Sequence, residues 1–461
     1  MYMIKCFSIK NKCFFIEYIF KDKEQNKGES SPKFFVEKHS VTKGHNMKIG
    51  LLGFGTIGTG FYEIINLGKS RFAENFDQAA VITKILDKDP NKTADPSDPH
   101  AMVVTDPDAI MKDPEIEIVV SLLGGMDFEY AMIKKALENK KHVVTASKAV
   151  ISEYFEELVA LAKANDVMLY YEAAVGGGIP IIGGLKEQLK INHINEIKGI
   201  FNGTTNFILS KMTSEGADFA DTLKVAQEIG FAEADPTADI GGFDVSRKLA
   251  ILSTLAYGGV IRDEDIYKRA LSDVRAVDID MAQSRGYNVK YLGHSKCINE
   301  DEVYTTVEPV LVPEVSVLGN VKSEFNIVSI VGDVVGELQF YGKGAGKDAT
   351  AAAVAGDVLK IHAHLQTNTR QKTPDFDKVV KKCGIDAFSG KYYLRVDIDK
   401  NETLAYVLDL MDGLCEHLEV IISKNRAFFW TSEIKTAVIN EVASQIKAKQ
   451  PEVFYARIYQ G

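Results

Sequence analysis

The sequence predicts an α/β protein that begins with a doubly wound parallel sheet. From residue 47 to about residue 170, short apolar runs typical of buried strands alternate with amphipathic helical stretches. Such alternation is typical of parallel sheets that are covered by helices on both faces. Further strands and helices follow residue 170, and they predict a second domain of α+β type.

The composition excludes several classes of protein. The chain has 461 residues, enough for two or three domains, and its 46% hydrophobic and 26% charged residues are ordinary for a globular protein. The formal net charge of -10 argues against nucleic-acid binding, and no apolar run reaches the roughly 18 residues of a membrane span. The five cysteines have no paired spacing, which favours reduced thiols in the cytoplasm.

Residues 1–46 differ from the rest of the chain. They carry nine lysines against five acidic residues, although the whole chain is acidic. The apolar run 13–20 contains Glu17 and is not followed by a cleavage site, so it does not match a secretory signal. We expect either a disordered extension outside the core or the product of an upstream start, with the fold beginning at Met47.

The turn at residues 53–58 is the fingerprint of a Rossmann-type dinucleotide-binding domain. Its first glycine permits the tight turn, its second lets the backbone approach a pyrophosphate, and its third lets the following helix pack closely. A strand–helix turn without a ligand is the alternative. The cofactor-binding residues predicted here are Gly53, Phe54, Gly55, Thr56, Ile57 and Gly58.

The second predicted strand, residues 80–86, ends at Asp87. A carboxylate in that place often accepts the ribose hydroxyls of NAD and repels the 2′-phosphate of NADP. Lys88 offers the opposite charge and could hold that phosphate instead. A solvated turn before Pro90 would explain the same residues without a ligand.

Two more predicted strands, residues 116–123 and 142–145, continue the parallel sheet. Lys148 follows the second of them. Ligands of doubly wound sheets lie beyond the carboxyl ends of the strands, so this lysine is placed to meet a nicotinamide or a substrate rather than solvent alone.

Two loops of the second domain are candidates for binding. The triple glycine at residues 176–178 indicates either a tight turn or a loop whose carbonyls face a cation. The polar cluster 202–206 includes Thr204 and lies between a strand and a helix, where it could cap the helix or line a pocket.

The densest chemistry lies at residues 230–248. An irregular loop and the start of the next helix carry four carboxylates, and that helix places Asp244 and Lys248 on one face, four residues apart. A lysine beside carboxylates can exchange a proton with a carbonyl, and a carboxylate can hold a substrate ammonium group. The alternative is a capped helix with a surface ion pair. The four carboxylates are Glu233, Asp235, Asp239 and Asp244.

The end of the chain predicts two further features. A hairpin at residues 325–341 leads to a second glycine-rich turn, 342–346, whose Gly346 could approach a phosphate or a nicotinamide. An alanine-rich helix at residues 349–359 follows. After a polar stretch, the order β-α-β-β-α-β from residue 388 is that of a ferredoxin-like domain.

Six of these motifs together resemble those of the homoserine dehydrogenase family, in the family's order, from about residue 47 to residue 360. They are GFGTIG at 53–58, HVVTASK at 142–148, EAAVGGGIPII at 172–182, NGTTNFIL at 202–209, GFAEADPTADIGGFDVSRK at 230–248 and GKGAG at 342–346. The C-terminal region resembles an ACT regulatory domain. It has Asn401-Glu402-Thr403 where such domains usually have a glycine turn that binds an amino acid.

The resemblance implies a role for each matching residue. Lys248 is similar to the family's catalytic lysine, which gives a proton to the aldehyde oxygen; Asp244 is similar to its partner, and Lys148 to a second lysine near substrate and cofactor. Glu233 matches the glutamate that binds the substrate amino group. The implied substrate-binding residues are Glu233, Asp239 and Thr204, and the implied carbonyl site for a monovalent cation, usually sodium, is Glu172, Val175, Gly177 and Ile179.

The implied reaction is the reversible reduction of L-aspartate 4-semialdehyde to L-homoserine by NAD or NADP, on the route to threonine, methionine and isoleucine. The family often has an arginine suited to NADP where this chain has Asp87 and Lys88, so we favour NAD. We also expect a homodimer or homotetramer that takes a small-molecule substrate and binds neither nucleic acid nor membrane.

Two other functions compete with this one. A nucleotide or amino-acid sensor of the same fold would not need the intact set of Glu233, Asp244 and Lys248. A dehydrogenase acting through a cysteine thioester would need a cysteine near these motifs, and the nearest, Cys297, follows no catalytic pattern.

The predicted domains follow from this comparison. They are an extension (1–46), a nucleotide-binding domain (47–170), a substrate-binding and dimerisation domain (171–325), a return segment packing on the nucleotide domain (326–360), a linker (361–387) and an ACT-like regulatory or assembly domain (388–461).

Overall fold

The computed structural model describes residues 3–9, 12–18, 47–68, 80–367, 376–398, 401–449 and 452–459. The chain divides into two units, residues 1–46 and residues 47–461. In the first unit, β1 (Met3–Ile9) and β2 (Lys12–Tyr18) pair as an antiparallel hairpin. This hairpin differs from the predicted disorder, and its two apolar runs separated by two residues are an ordinary hairpin signal. The polar stretch 21–32 lies outside the described residues.

The second unit starts with the predicted parallel sheet, which is confirmed. Its strand order is β5-β4-β3-β6-β7-β8, the order of dinucleotide-binding sheets, and it reverses between β3 and β6, where ligands of such sheets bind. The strands are β3 (Met47–Leu52), β4 (Ala80–Leu86), β5 (Met102–Val104), β6 (Ile116–Ser121), β7 (His142–Thr145) and β8 (Leu169–Tyr170). The helices between them are α1 (Thr56–Ile65), α2 (Asp108–Met111), α3 (Met126–Glu138), α4 (Lys148–Glu153) and α5 (Phe155–Ala164).

The glycines of the first turn differ in the space around them. Gly53 has a φ of +96°, and a Cβ on it would lie 2.5 Å from the Leu122 carbonyl oxygen. A Cβ on Gly58 would lie 2.1 Å from the Gly53 carbonyl oxygen, whereas one on Gly55 would meet nothing within 4 Å. Gly53 and Gly58 are therefore required by packing, and Gly55 faces open space.

The rest of the second unit is built on a mixed sheet, in the order β14-β13-β9-β11-β12, which four strands of the C-terminal region continue. Its first strands are β9 (Ile194–Ile200), β10 (Tyr267–Lys268), β11 (Tyr287–Asn299), β12 (Glu302–Pro313), β13 (Phe325–Gly332), β14 (Gly336–Lys343) and β15 (Lys381–Cys383). The accompanying helices are α6 (Ala173–Gly176), α7 (Ile181–Gln188), α8 (Gly203–Glu215), α9 (Phe219–Glu228), α10 (Thr237–Ile240), α11 (Phe243–Tyr257) and α12 (Ala276–Gln283). No helix among the described residues is long and apolar enough to cross a membrane.

The segment 326–360 divides into a hairpin in the mixed sheet and a helix on the nucleotide domain. This corrects the prediction that all of it packs on the nucleotide domain. Its hairpin, β13 and β14, pairs with β9 and belongs to the mixed sheet. The helix that follows, α13 (Lys347–Thr367), does pack on the nucleotide domain, against α1. A Cβ on Gly60 of α1 would lie 3.2 Å from the Cβ of Ala351, so small residues set how close these helices come.

The predicted linker 361–387 contains a strand. β15 pairs in parallel with β12, so this part of the chain adds to the mixed sheet. Residues 361–367 continue α13, and residues 368–375 lie outside the described part of the chain. The described parts of the predicted linker therefore include a helical part, 361–367, and the strand β15.

The C-terminal region has the predicted β-α-β-β-α-β order. Its own four long strands lie in the order fourth, first, third, second, which is the ferredoxin-like arrangement. The first element of the region pairs with the last, and the last pairs in parallel with β12, so this sheet continues the mixed sheet. Its elements are β16 (Ser389–Asp397), α14 (Asn401–Met411), β17 (Leu418–Ser423), β18 (Arg426–Thr431), β19 (Ile434–Lys435), α15 (Thr436–Lys449) and β20 (Val453–Ile458).

A buried ion pair joins the C-terminal region to α12. The Arg395 guanidinium donates to the Asp278 carboxylate at 2.9 Å, and the two side chains are 1% and 0% exposed. The Tyr393 hydroxyl donates to the same carboxylate at 2.7 Å. Because a buried charge is costly without its partner, this contact fixes the position of β16 on α12.

The close approach at Gly58 is tested by a matched pair of alanine substitutions. Gly58→Ala should lower the free energy of unfolding by about 1–3 kcal/mol, because its methyl group meets backbone that cannot move aside. Gly55→Ala should change it by less than about 0.5 kcal/mol. Thermal unfolding followed by circular dichroism measures both, and equal losses would contradict the packing described for this turn.

The buried pair is tested by Arg395→Met. We expect a loss of about 3–5 kcal/mol, because Asp278 would remain buried without its partner. Lys447→Met is the control: its ion pair with Asp273 joins the same regions at 3.5 Å with both side chains more than half exposed, and its loss should cost less than about 0.5 kcal/mol. Urea unfolding followed by the single tryptophan, Trp430 of β18, reports on this region directly. A small loss for Arg395→Met would show that the pair does not hold the region in place.

Candidate active site

A polar cluster lies where the two sheets meet. Lys148 opens α4 directly after β7, at the carboxyl end of the parallel sheet. Asn202 follows β9 of the mixed sheet and caps α8 by accepting the Thr205 N–H at 2.8 Å. Asp244 and Lys248 lie one turn apart on α11, which packs against α4. The fold therefore brings together residues from three separate motifs.

The carboxylate of Asp244 is the centre of this cluster. One oxygen, Oδ2, accepts from Lys248 Nζ at 2.7 Å and from the Asn202 amide at 2.9 Å. The other oxygen, Oδ1, lies 2.9 Å from Lys148 Nζ. The Asp244 side chain is only 7% exposed, so both lysines are held by a carboxylate that water hardly reaches. This excludes the alternative of a surface ion pair.

Lys248 has one donor left for a ligand. Its side chain is 10% exposed, and Nζ donates to Asp244 and to the Phe201 carbonyl, each at 2.7 Å. A protonated lysine carries three N–H groups, and these two are its hydrogen bonds to the described residues. The ammonium group is therefore fixed in direction while one N–H remains for a substrate oxygen.

The charges of the cluster shift one another's pKa values. Burial lowers the pKa of Lys248, and Lys148 adds to this effect, while Asp244 opposes it. Burial alone would raise the pKa of Asp244, but the two lysines and Asn202 together hold it well below the usual range of a carboxyl. The pKa of Lys148 is raised, mainly by the charge of Asp244. Asp244 is thus ionised, and Lys248 loses its proton more readily than an ordinary lysine.

Asp239 and Thr204 adjoin this centre. The Asn202 amide donates to Asp239 at 2.7 Å as well as to Asp244, so it holds two carboxylates side by side. Burial and the charge of Asp244 raise the pKa of Asp239, while hydrogen bonds from Asn202 and Thr204 oppose the rise. The polar cluster 202–206 thus both caps a helix and lines the site, the two alternatives left open by the sequence.

Glu233, a predicted substrate-binding residue, forms no hydrogen bond or ion pair with the cluster around Asp244. Its side chain is exposed and makes no hydrogen bond or ion pair with any other described residue. Only its backbone is held, because its carbonyl accepts from the Gln227 amide at 3.1 Å. Its role toward a substrate amino group stays a prediction.

The glycine turn offers a cradle for phosphates. Gly55 and Thr56, at the N-terminus of α1, are exposed, and the open space above Gly55 leaves room for a ligand against the backbone. Phe54 is buried instead, with its ring 5.5 Å from that of Tyr62. These features fit a dinucleotide at the turn, with Phe54 as support beneath it.

Asp87 lies beside this turn, at the end of β4. Its carboxylate accepts from the Phe54 and Asp89 N–H groups and forms an ion pair with Lys92 at 2.9 Å. Lys88 is exposed, and among the described residues it has no hydrogen-bond or ion-pair partner. The sequence indicated Asp87 and Lys88 but not Lys92, which lies six residues beyond the end of the strand.

The triple glycine packs against the second glycine-rich turn. A Cβ on Gly177 would lie 2.4 Å from the Gly344 carbonyl oxygen, and Gly178 donates to the Lys343 carbonyl at 3.2 Å. The Glu172 side chain caps α7, accepting from Ile182 and Gly183 at 2.7 and 2.9 Å. The glycines are therefore needed for close packing, and the Glu172 carboxylate is already occupied.

The predicted cation site would have to consist of backbone carbonyls. Among the described residues, no group of three or more His, Cys, Asp or Glu side chains is arranged to hold a metal ion. Glu172, Val175, Gly177 and Ile179 remain the predicted carbonyl ligands. Gly346, at φ +115°, lies just before α13 and keeps the open surroundings expected of a ligand-facing glycine.

Two participants were not found from the sequence. The Phe201 carbonyl accepts from Lys248 and also from the Asn326 amide at 2.7 Å, so Asn326 of β13 positions the group that orients the lysine. A carbonyl leaves no signal in a sequence, and Asn326 lies in a mainly apolar strand whose pattern indicates only burial.

Comparisons with known proteins agree with this geometry. A family model described as "Homoserine dehydrogenase" matches residues 180–359, and one described as "Homoserine dehydrogenase, NAD binding domain" matches residues 53–172. A homoserine dehydrogenase from Synechocystis is 43% identical over 320 residues, which are 68% of this chain and 73% of that protein.

Solved structures give the same result. A homoserine dehydrogenase from Thiobacillus denitrificans has a TM-score of 0.82 at 32% identity, covering 90% of this chain and 98% of its own. A hyperthermophilic archaeal homoserine dehydrogenase in complex with NADPH has a TM-score of 0.58 at 28% identity, covering 69% of this chain and 98% of its own. The chain, an oxidoreductase with a nicotinamide-nucleotide domain, belongs to the homoserine dehydrogenase family.

Proposed function

We propose that this chain reduces L-aspartate 4-semialdehyde reversibly to L-homoserine, with Lys248 as the proton donor. The observation that supports it most strongly is the Asp244 carboxylate, which holds Lys148 and Lys248 together at the carboxyl end of the nucleotide-binding sheet. A reduction of this kind needs a proton source beside a hydride source. The cluster of Lys148, Asp244 and Lys248 supplies the proton. It lies at the carboxyl end of the sheet, where folds of this type bind the nicotinamide that supplies the hydride.

The chain's own residues balance the charge of the reaction. When bound, the dihydronicotinamide supplies a hydride to the carbonyl carbon. The electron pair of the C=O bond then moves to the oxygen, where the free N–H of Lys248 stabilises the developing negative charge and gives up its proton. Asp244 and the Phe201 carbonyl keep that N–H in one direction. In the reverse direction, neutral Lys248 takes the proton of the alcohol.

The substrate's amino and carboxylate groups need partners of opposite charge. We assign the ammonium group to the acidic side of the site, with Glu233 as its main partner and Asp239 and Thr204 beside it. Glu233 is exposed and otherwise unengaged, so it is available to a ligand. Lys148 lies half-buried next to Asp244 and faces both the substrate and the nicotinamide in this assignment.

The cofactor is a nicotinamide nucleotide, and Asp87 at the end of β4 favours NAD. A carboxylate at the end of the second strand accepts the ribose hydroxyls of NAD. We further propose that carbonyls of Glu172, Val175, Gly177 and Ile179 hold a structural sodium ion. Sodium dependence of the melting temperature, measured against potassium, tests this site separately from turnover.

The wider setting follows from the reaction. The product L-homoserine precedes threonine, methionine and isoleucine, and we place the enzyme in that biosynthesis, in the cytoplasm, as a homodimer or homotetramer. The C-terminal domain serves assembly or regulation, and Asn401-Glu402-Thr403, without a glycine, does not favour an amino-acid site of the usual ACT type. Purified protein with L-homoserine and either NAD or NADP, followed at the nicotinamide absorbance, tests the activity itself. No absorbance change with either cofactor would refute it.

Lys248→Ala tests the proton donor. Turnover should fall by about 10²–10⁴-fold because the developing oxyanion loses its acid, while the dissociation constant of the cofactor stays nearly unchanged. Lys211→Ala is a matched control, since Lys211 also pairs with a carboxylate four residues away, Glu215, but on the surface of α8. Loss of cofactor affinity with normal turnover would refute the role given to Lys248.

The pH profile tests the role of Asp244. Aldehyde reduction requires protonated Lys248, so its rate should fall as pH rises through the Lys248 pKa, which burial places below that of an ordinary lysine. Asp244→Asn removes the charge that opposes this lowering, so the fall should begin at lower pH. Glu215→Gln is the control and should leave the profile in place. An alkaline limb that does not move in Asp244→Asn would contradict the coupling of the two residues.

A further inference from the structure

A cavity of about 200 Å³ lies where the chain passes from the parallel sheet to the mixed sheet. Its wall consists of the end of β8 and the residues after it, of α7, which packs on β13, and of α13, which packs on α1. Sites for drug-sized ligands measure roughly 300–1,000 Å³, so this cavity suits a smaller molecule. The lining residues include Tyr170, Glu172, Lys186, Asp357, Lys360 and His364.

The Glu172 and Asp357 carboxylates of this wall are already engaged. Glu172 caps α7 and also accepts from Lys360 Nζ at 3.1 Å. Asp357 accepts the Glu172 N–H at 2.8 Å and Lys360 Nζ at 2.9 Å. Lys360 and backbone N–H groups therefore offset both negative charges, and neither carboxylate is left for a cationic ligand.

Lys186 lines the same cavity without a hydrogen-bond acceptor or an ion-pair partner among the described residues. Its side chain is half-buried, and Nζ lies 5.7 and 5.3 Å from the ring centres of Tyr170 and Tyr171. Burial lowers the pKa of Lys186, while the charges of Asp357 and Glu172 oppose this effect. An ammonium group has three N–H donors, and leaving them unpaired away from water is costly, so an acceptor in the cavity would be favoured.

We propose that this cavity binds a small oxyanion, such as a carboxylate, sulfate or phosphate, between Lys186 of α7 and Lys360 of α13. Lys360 gives two of its three N–H groups to the wall carboxylates, which leaves one for a ligand. The two ammonium groups lie 5.7 and 5.9 Å from the centre of the same ring, that of Tyr170. An anion between them would offset their mutual repulsion.

The position of the cavity gives a bound anion a structural consequence. Lys186 belongs to a helix on the mixed sheet, and Lys360 belongs to a helix on the nucleotide-binding domain. An anion held by both lysines would join these two parts of the chain, so its binding should stabilise the fold. This site does not depend on the reaction proposed above, because neither lysine takes part in it.

Thermal unfolding of the full chain tests the site in the presence of saturating NADH, which occupies the phosphate-binding turn. The melting temperature is compared in sodium chloride, acetate, sulfate and phosphate, at one sodium concentration and at one ionic strength set with choline chloride. Constant sodium keeps the proposed cation site unchanged. At ten to twenty times its dissociation constant, the oxyanion that fits the cavity should raise the melting temperature by about 2–4 °C over chloride. The largest shift identifies the anion as planar or tetrahedral.

Substitutions on and beside α7 distinguish this site from a general effect of salt. Lys186→Gln should abolish the shift, and Lys186→Arg should keep it, since it keeps the charge. Lys190→Gln is the matched control, because Lys190 lies four residues further on and pairs with Glu187 at the surface, and it should keep the shift. Equal shifts in the wild type and Lys186→Gln, or an equal loss in Lys190→Gln, would overturn the inference, as would the absence of a shift with all three oxyanions.

A crystal structure of the wild-type chain with the favoured anion tests the site even if Lys186→Gln does not fold. The anion should lie about 3 Å from Lys186 Nζ, inside the cavity. An anion found only at other places would overturn the inference.

Discussion

The site depends on one buried carboxylate that balances two lysines. If Asp244 were absent, Lys148 and Lys248 would lie close together in a poorly solvated place, and their repulsion would favour loss of a proton. With Asp244 present, both lysines can stay charged. The Lys248 ammonium group is oriented by a second acceptor as well, the Phe201 carbonyl. The local helix spacing supplies the first contact, because Asp244 and Lys248 are four residues apart on α11. Only the tertiary fold supplies the others.

The backbone brings the remaining partners to that carboxylate. β9 of the mixed sheet ends at Ile200, so Phe201 and Asn202 follow it directly. They lie beside Asp244, as does Lys148, which follows the end of β7. Close approaches of glycine backbone, as between Gly177 and Gly344, let the loop after α6 pack directly against the turn after β14. The C-terminal sheet extends the mixed sheet through β12, so it is part of the same framework.

The features that could be predicted from the sequence are those determined by residues close together in the chain. The parallel sheet, the glycine turn and the pair Asp244–Lys248 each follow from spacing along the chain. The long strands β11 and β12 were not predicted, because burial on both faces removes the alternation that identifies a strand. Asn326 was not predicted either, since it acts through a contact with the Phe201 carbonyl that is distant in sequence and that no periodicity reveals. The hairpin β13–β14 was found as a hairpin but assigned to the wrong layer, because pairing with β9 depends on the tertiary fold.

A crystal structure of the full chain with the nicotinamide cofactor and L-homoserine tests the central claim most directly. We expect the substrate hydroxyl oxygen to lie about 3 Å from Lys248 Nζ, with Asp244 still bridging Lys248 and Lys148. A hydroxyl bonded to another group, or an Asp244 carboxylate turned away from Lys248 in the complex, would contradict it.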